Sequence, residues 1–344
     1  MSELPVPDLS NARVLRTIAG IRPCRRGGLR LEHEQLGETT IVHNYGQGGC
    51  GITLAMGCAP AAADLVEQHG DGPVAVLGAG VVGLASAYEL ASRGRRVRVI
   101  AERVGGDTTS AIAGAIWLPT GLDFPEDRAA RDRLNGFLRT SADRLRSFDA
   151  QEWGIETLPV YEPAHAPYHS ELFESGTIEG PTPIDSIPVG AQRGPGKMFR
   201  TLFVHTTRFL RTLRAQCESL GVAFEQRTIG SVDDVRGLDE RVVVNCLALG
   251  SREVFGDAAM YPARGVLVHL EPQDLGYIVH DGYKYLFPRQ DALILGGTFE
   301  PGEADGTPPE ATVREILAHH RRFFGLDPET GEPAGAGAES ARIS

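Results

Sequence analysis

The stretch Val74-Ala75-Val76-Leu77-Gly78-Ala79-Gly80-Val81-Val82-Gly83 decides the fold of this 344-residue chain. Its first four residues form a short apolar run, typical of a buried strand, and three glycines follow with the spacing G-x-G-x-x-G. In a dinucleotide site, Gly78 would allow a tight turn, Gly80 would let backbone N–H groups approach a pyrophosphate, and Gly83 would let helix and strand pack closely. The pattern predicts a strand–turn–helix unit that binds dinucleotide phosphates.

The residues after this motif complete a β-α-β unit. Apolar residues at i, i+3, i+4 and i+7 from Val81 predict a helix with one apolar face, which Gly94 ends. The apolar segment 97–100 predicts a second strand ending at Glu102, where an acidic side chain can bind a ribose hydroxyl. The alternative interpretation is a glycine-rich turn without a ligand. The motif alone does not distinguish FAD from NAD.

Composition excludes several classes of partner. A chain of 344 residues, 42% of them apolar, is long enough for two domains and a large core, which predicts a soluble α/β protein. The net charge of −11 argues against nucleic acid or an anionic membrane surface as the main partner. The sequence has no long apolar run and no leader pattern, and its five scattered cysteines lack metal-ligand spacing. We therefore predict a cytoplasmic protein without a membrane segment or a metal, whose partners are small molecules.

Segments before the motif predict a second wall of the same site. Gly20-Ile21-Arg22-Pro23 holds an arginine in extended backbone, because the proline after it disfavours helical backbone; the alternative for Arg22 is a surface charge. A strand at 40–43 leads into residues 46–51, where four of six residues are glycine, and such a loop lets a flat group approach the backbone. The segment 52–68 predicts a helix whose positive end faces that space.

Together, Gly20-Ile21-Arg22-Pro23 and the segment 43–53 resemble the C-terminal part of the D-amino-acid oxidase family of flavoenzymes, although here they precede the β-α-β unit. The segments that resemble the family in its usual order are 107–110, 113–119, 242–246, 285–288 and 295–298. We hypothesise that the chain is a circular permutant of the family fold. The family's C-terminal block would stand at residues 12–68, joined through the polar linker 68–73.

The resemblance implies a fold and a division into domains. The fold class would be α/β, with a Rossmann-like FAD-binding domain and a second α+β substrate domain that contains a mostly antiparallel sheet. The FAD-binding domain would be discontinuous, with residues 22–120 and 198–258. Residues 121–197, 259–344 and 1–21 would form the substrate domain.

The motif and the resemblance also assign site residues. Arg22 would bind the substrate carboxylate bidentately, Tyr285 would add a hydroxyl donor, and the carbonyl of Gly49 would accept a hydrogen bond from the amine. The first turn after Gly51 would direct its N–H groups and the helix dipole at the flavin. The residues assigned to non-covalent FAD binding are Gly48, Gly51, Ile52, Thr53, Gly78, Gly80, Val81, Val82, Gly83, Glu102, Arg103, Thr108, Thr109, Ala113, Gly114, Arg227 and Ile229.

The activity that the resemblance implies is FAD-dependent oxidation of D-amino acids to 2-oxo acids, with release of ammonia and with O2 reduced to hydrogen peroxide. The D stereochemistry follows from the resemblance alone. One alternative is an amine, glycine or N-methylglycine oxidase, or a biosynthetic dehydrogenase with another acceptor. Another is a flavin-binding protein without turnover. The oligomeric state stays open, with a homodimer as one option.

Several positions depart from the family's pattern. The segment 279–285 is shorter than the family's active-site lid, which predicts a truncated lid. His280 falls where relatives that act on D-aspartate carry a basic residue, so it indicates either an acidic substrate or an exposed histidine at a strand end. Ala248 replaces a glycine, and we expect its methyl group to be tolerated. Cys50 lies in the flavin loop, and we expect no covalent flavin link there.

Hydrophobic periodicity predicts the remaining elements. They are a strand at 12–15, a helix over 134–148, a helix from Leu202 to Leu220, strands at 222–224, 266–270, 277–280, 284–288 and 292–295, and a final helix opened by a capping box at Thr307-Pro308-Pro309-Glu310. The Pro-rich segment 158–196 predicts loops with short strands. The segment 326–340 predicts a mobile linker.

Overall fold

The computed structural model describes residues 3–103, 108–114, 116–190 and 194–333. Its strands are β1 (Val14–Arg25), β2 (Arg30–Leu36), β3 (Thr39–Tyr45), β4 (Val74–Leu77), β5 (Val97–Ala101), β6 (Ile155–Pro163), β7 (Thr182–Ile184), β8 (Gly196–Val204), β9 (Ala223–Gln226), β10 (Val242–Asn245), β11 (Met260–Leu270), β12 (Ile278–Asp281), β13 (Lys284–Pro288), β14 (Leu293–Gly296) and β15 (Glu300–Pro301). Its α-helices are α1 (Gly51–Glu67), α2 (Val81–Ser92), α3 (Thr109–Ile112), α4 (Arg128–Ser147), α5 (Ala150–Trp153), α6 (Thr206–Ser219), α7 (Val232–Arg236), α8 (Gly250–Phe255) and α9 (Glu310–Phe324). The predictions for Asp107, Ala115 and 334–340 lie outside the described residues.

A largely parallel sheet surrounds the glycine motif. Within the described residues it has six strands in the order β2-β3-β10-β4-β5-β9. All are parallel except β2, which pairs antiparallel with β3 at one edge. Every residue of β4 and β10 is buried, as expected for parallel strands covered on both faces. The predicted β-α-β unit is confirmed as β4, α2 and β5.

A second sheet lies beside the first. In the described residues it has nine strands, in the order β1-β11-β14-β13-β12-β6-β8-β7 with β15 added on β11. All neighbouring pairs are antiparallel except β12 and β6. α9 packs on this sheet and buries Ile316 and Phe324. The prediction of an α/β fold with a second, mostly antiparallel sheet is confirmed.

The first 70 residues are part of both sheets rather than a separate domain. β1 pairs with β11, which places Arg22 opposite Ala263. β3 lies beside β10, with His43 opposite Asn245. The two ends of the described chain also meet, because the N–H of Asn11 donates to the carbonyl oxygen of Thr330 at 3.2 Å. The N-terminal block therefore completes a fold whose other parts come from the rest of the chain.

Helix α1 owes its apolar character to the protein core. With the turn before it, the segment Gly48–Glu67 is long and apolar enough to cross a membrane by length and composition alone. Most of it is buried, and it packs between α2 and α4. Its composition is that of a core helix.

Some local predictions were wrong because pairing across the sheet overrides sequence periodicity. The segment Asn11–Arg13 is a 3-10 helix, so the predicted strand at 12–15 begins only at Val14. Leu202 lies in β8, which pairs with β6, and not in the following helix. The segment 155–163, partly predicted as loop, is the long strand β6.

The predicted capping box and linker at the C-terminal end also need correction. Pro309 occupies the N-cap position of α9 and makes no side-chain cap, so the capping box does not form. The predicted linker is packed up to Pro333, which pairs with Leu326. The domain boundaries stay a prediction, and those at 22 and 198 fall inside β1 and β8.

A rearranged chain tests whether the order of the segments matters to the fold. We expect a chain that begins at Pro73 and runs through Ser344 into Met1–Gly72 to fold and bind FAD like the original, because residues 11 and 330 already touch. Circular dichroism and thermal unfolding would measure this. An unfolded rearranged chain would contradict the prediction.

Candidate active site

One cavity of about 880 Å³ collects the residues that the sequence predicted. It lies where the glycine motif, the turn before α1, the segment 108–114 and strand β13 meet. Arg22, Tyr285 and Gly49 line it, as does every residue assigned to FAD binding from Gly48 to Ile229. The structure thus brings the predicted residues together, while their individual roles remain proposals.

The glycine motif forms a tight turn at one wall of this cavity. Gly78 has a φ of 103°, and a Cβ there would lie 2.5 Å from the carbonyl oxygen of Cys246. A Cβ on Gly83 would lie 2.0 Å from the carbonyl oxygen of Gly78. Any side chain would therefore separate α2 from β4 and β10. The N-terminus of α2 is held against the cavity and suits an anionic phosphate.

The carboxyl ends of β5 and β9 form the far end of the cavity. Glu102 directly follows β5 and is exposed at the wall. The Nε2 of Gln226 donates to the carbonyl oxygen of Glu102 at 3.1 Å and fixes the backbone there. The N–H of Arg227 donates to the carbonyl oxygen of Ala101 at 3.0 Å, which brings the segment up to Ile229 to the same wall. A ribose and a base would fit at this end.

The turn before α1 forms the opposite end of the cavity. The N–H of Gly49 donates to the carbonyl oxygen of Gly121 at 3.0 Å. A Cβ on Gly49 would lie 2.9 Å from the carbonyl oxygen of Thr120 and 3.5 Å from Cδ of Arg22. The backbone here is therefore packed against the arginine. The N–H groups in the first turn of α1 have no partners within the helix and give this end positive potential.

Arg22 is half-buried on β1 and faces the cavity. Its Nη1 donates to the carbonyl oxygen of Thr298 at 3.1 Å, and its guanidinium lies 5.5 Å from the ring centroid of Phe299. A Cβ on Gly265 would come within 2.2 Å of Nη1, so the guanidinium lies flat on that glycine. The alternative of an ordinary surface charge does not describe this position.

Tyr285 lies beside Arg22 as a neutral donor. Its ring is 8% exposed and stacks on Phe287 with centroids 4.1 Å apart. Burial raises the pKa of the phenol, and the charge of Arg22 and its hydrogen bond to Tyr285 only partly offset this. A Cβ on Gly296 would come within 2.1 Å of the ring. The hydroxyl therefore stays protonated at neutral pH and can donate.

The glycines that seat these two side chains were missed in the sequence. Gly265 lies inside strand β11 and Gly296 is the last residue of β14, and a glycine in a strand often marks a place where another group approaches closely. Glycine at a strand position was the signal available in the sequence. The side chains that pack on these glycines, Arg22 and Tyr285, come from distant parts of the chain, so local sequence patterns could not identify them.

Of the two alternatives for His280, the exposed histidine at a strand end was wrong. It is 8% exposed rather than an exposed histidine at a strand end, and its Nδ1 lies 2.7 Å from Oε1 of Glu162. Lys197 Nζ lies 3.8 Å from the other oxygen of that carboxylate. His280 stands opposite Tyr285 in the β12–β13 pair, so both side chains leave the same face of the sheet. Both line the cavity.

The segment predicted to be a truncated lid is a tight hairpin. β12 ends at Asp281 and β13 begins at Lys284, so only Gly282 and Tyr283 lie between them. The ring of Tyr283 stacks on Phe299 with centroids 5.0 Å apart. Phe299, which follows β14, in turn contacts the guanidinium of Arg22, so Tyr283 of the hairpin lies over the arginine only through the ring of Phe299.

Cys50 is unsuited to covalent attachment of a flavin. It is buried, and its Sγ donates to the carbonyl oxygen of Gln47 at 3.0 Å. Burial raises the pKa of the thiol, so the nucleophilic thiolate is disfavoured. Among the described residues, no cluster of His, Cys, Asp and Glu could hold a metal ion.

The walls of the cavity fit a flavin dinucleotide in two further respects. Val81 N–H donates to Oγ of Ser110 at 3.1 Å, so the segment 108–114 lies close to the glycine motif. The buried Oγ1 of Thr108 has no hydrogen-bond partner among the described residues, and a ligand in the cavity could supply one.

The family follows from a comparison with known sequences. Residues 73–339 match the family DAO, described as FAD dependent oxidoreductase. The match spans well over half of the chain, and the chain therefore belongs to this family of FAD-dependent oxidoreductases. The predicted cofactor, FAD, is the cofactor of that family.

Comparison with individual proteins defines the class of oxidoreductase more closely than the family match alone. The chain is 31% identical over 285 residues to a D-amino-acid oxidase of Streptomyces coelicolor, with 77% of this chain and 80% of that protein covered. It is 27% identical over 280 residues to a D-aspartate oxidase of Homo sapiens, with 74% and 76% covered. A crystal structure of glycine oxidase from Bacillus cereus shares the fold, with a TM-score of 0.56 at 15% identity over 74% of this chain and 78% of that one. The chain is an amine-acting, FAD-dependent oxidoreductase of the D-amino-acid oxidase type.

Ala248 offers a test of backbone strain at the site. It lines the cavity with a φ of 55°, a conformation that costs an L-residue about 1–2 kcal/mol and glycine almost nothing. Glycine also loses more entropy on folding, so Ala248→Gly should raise the free energy of unfolding by only about 0.5–1 kcal/mol. Urea unfolding of the apoprotein measures it. Destabilisation would show that the methyl group contributes packing that exceeds the strain.

Proposed function

We propose that the protein oxidises D-amino acids to 2-oxo acids, with release of ammonia and with O2 reduced to hydrogen peroxide. The observation that carries this proposal is that Arg22 and Tyr285 meet at one end of a cavity whose other wall is the dinucleotide motif. A cation and a neutral hydroxyl donor side by side suit a carboxylate. The family supplies the cofactor that a cavity of this size would hold.

Arg22 would bind and orient the substrate carboxylate. A guanidinium has five N–H donors, so bonds to Thr298 and Tyr285 leave others that the planar group can direct at a carboxylate. Phe299 and Tyr283 cover the arginine and would exclude water from the ion pair. Charge attraction in such a dry site is stronger than in water.

Tyr285 and the 48–53 turn would complete the orientation. Tyr285 would donate to the same carboxylate, and the carbonyl of Gly49 would accept a hydrogen bond from the amine. When bound, FAD would supply the redox chemistry, as the acceptor for a hydride from Cα and the source of electrons for O2. The N–H groups in the first turn of α1 would stabilise the negative charge that this transfer brings to that end of the cavity. An amine that enters neutral needs no base from the protein.

We also propose that the chain is a circular permutant of its family. The family match begins at residue 73, while residues 14–67 supply β1, β3 and α1 of the same fold. The contact between Asn11 and Thr330 supports a common ancestor in which these ends were joined. The assignment of Arg22 depends on this proposal, because Arg22 lies outside the matched residues.

The remaining partners are proposed from composition. All five cysteines are buried and unpaired, which supports a reducing compartment such as the cytoplasm. A homodimer stays a prediction. Neither point affects the geometry of the site.

A second candidate is a preference for D-amino acids with an acidic side chain. Glu162 holds Nδ1 of His280, and Nε2 has no hydrogen-bond partner among the described residues. Because His280 stands opposite Tyr285, its ring would lie near the substrate side chain. An imidazole N–H can donate a hydrogen bond to the carboxylate of an acidic side chain. The D-aspartate oxidase among the relatives supports this candidate.

A panel of D-amino acids, each with its L-enantiomer, tests the function by peroxide release. The proposal predicts peroxide from D-enantiomers alone. Peroxide from glycine and N-methylglycine alone would replace it with the amine-oxidase alternative. A flavin-loaded protein that releases none, and whose flavin is not reduced either, would replace it with a binding protein.

Removing the arginine should affect turnover far more than folding. We expect Arg22→Ala to keep bound FAD but to lower kcat/KM, since a charged partner of the carboxylate is lost. The loss of transition-state stabilisation should be about 2–5 kcal/mol. Tyr285→Phe deletes one neutral hydrogen bond and should cost about 0.5–1.5 kcal/mol. Steady-state kinetics measure both. Equal losses would show that the two roles are assigned wrongly.

His280→Gln separates the two substrate candidates. If His280 contacts an acidic side chain, the variant should lower kcat/KM for D-aspartate, because a hydrogen bond to a charged group worth about 1.5–3 kcal/mol is lost. The kcat/KM for D-alanine should change little. His165→Gln is the matched control, since His165 also pairs with a carboxylate, Asp281, but is exposed. An unchanged ratio between the two substrates would remove the acidic preference.

A further inference from the structure

Arg289 is a buried arginine next to the candidate active site. It directly follows β13 and is 2% exposed. Its Nη1 donates to the carbonyl oxygens of Ala111 at 3.0 Å and Ala113 at 2.9 Å. Its Nε and Nη2 donate to the carboxylate of Asp291, and Nη2 also to Oγ1 of Thr207. The five N–H donors of the guanidinium are all paired, as burial of a charge requires.

The two backbone carbonyls that Arg289 holds belong to a wall of the cavity. They lie in and directly after α3, a helix of four residues without a buried side chain. The segment 108–114 has little core of its own, yet Thr108, Ser110 and Gly114 all line the cavity. Ala111 and Ile112 pack only partly against the core, so hydrogen bonds from behind also fix its position. Arg289 supplies two of them, and Oγ1 of Thr206 supplies a third, to the carbonyl oxygen of Ala111.

The same arginine links this wall to the strand that carries Tyr285. Gly114 packs against Phe287, because a Cβ on Gly114 would lie 2.4 Å from that ring. Phe287 in turn stacks on Tyr285 at 4.1 Å. On the other side of the segment, Ser110 accepts the hydrogen bond from the N-terminus of α2. A shift of the segment 108–114 would thus change both the dinucleotide turn and the seat of Tyr285.

We infer that Arg289 is a positioning residue that fixes the segment 108–114 between the dinucleotide motif and Tyr285, and thereby sets how tightly and in what environment FAD is bound. The inference rests on the proposed function only in taking FAD as the occupant. Arg289 acts through the backbone carbonyls of Ala111 and Ala113, not through contact with the cofactor.

A second buried arginine provides a matched control. Arg321 is also 2% exposed, and its guanidinium donates to the carbonyl oxygens of Leu9 and Glu329 and to Oδ1 of Asn11. It holds the two ends of the described chain together, and none of these acceptors belongs to a residue that lines the cavity. Lysine at either position keeps the charge but loses the planar fork.

The test compares Arg289→Lys with Arg321→Lys. Three quantities are measured: FAD affinity of the apoprotein by flavin fluorescence, the visible absorption band of bound FAD, and hydrogen exchange of backbone amides in each apoprotein. Arg289→Lys should weaken FAD binding on the order of tenfold, the lower end of the loss found when residues that orient metal ligands are changed. It should also change the band shape and speed exchange in the segment 108–114. Arg321→Lys should speed exchange near residues 9–12 and 326–333 and leave FAD affinity and spectrum unchanged.

Equal FAD affinity in the two variants, with slow exchange kept in 108–114, would overturn the inference and leave Arg289 as a purely structural residue. If Arg289→Lys does not fold, Asp291→Asn is measured in the same way, since it removes the charge that orients the guanidinium. It should shift all three quantities in the same direction by a smaller amount, and no shift would equally overturn the inference. These measurements need no turnover, so a wrong substrate assignment would appear in the enantiomer panel and not here.

Discussion

Strand β10 lies between β3 and β4 in exact parallel register with both, and this arrangement constrains everything around the cavity. Asn245 stands opposite His43 on one side and Leu77 on the other, so three strands end at one edge of the sheet. Ligands of open parallel sheets bind beyond the carboxyl ends of the strands. The chain leaves β3 into the 48–53 turn, β4 into Gly78, and β10 into the segment that holds Ala248. These three exits form one wall of the cavity.

The second sheet gives the cavity its chemistry. β1 and β13 approach from different ends of the chain, yet both place a side chain over a glycine of a neighbouring strand, Arg22 over Gly265 and Tyr285 over Gly296. These glycines bring the guanidinium and the phenol close to the sheet, where water is excluded. Arg289 then joins β13 to the wall of the dinucleotide site. The two sheets are thus coupled through hydrogen bonds to backbone carbonyls as well as through packing.

Local chemistry made part of this predictable from sequence. The glycine spacing and the apolar stripe after Val81 predicted the β-α-β unit, because a Cβ on Gly78 or Gly83 would clash with the backbone. The burial of His280 and the seats of Arg22 and Tyr285 were not predictable from pattern, since they depend on strand register between distant segments. The same holds for Leu202 and for β6, where pairing across the sheet decided the structure against helical or loop patterns. Arg289 gave no sequence signal, because its acceptors are backbone carbonyls 176 and 178 residues away.

We propose that Arg22, from the N-terminal block, and Tyr285 hold one D-amino acid against FAD in this cavity. Anaerobic addition of a D-amino acid to the flavin-loaded protein tests it most directly. The visible flavin band should bleach with the D-enantiomer, persist with the L-enantiomer, and return when air is admitted. Arg22→Ala with equal bound FAD should bleach far more slowly. Bleaching at equal rates with both enantiomers would contradict a site for D-amino acids, and bleaching of Arg22→Ala at the rate of the original protein would contradict the role of Arg22.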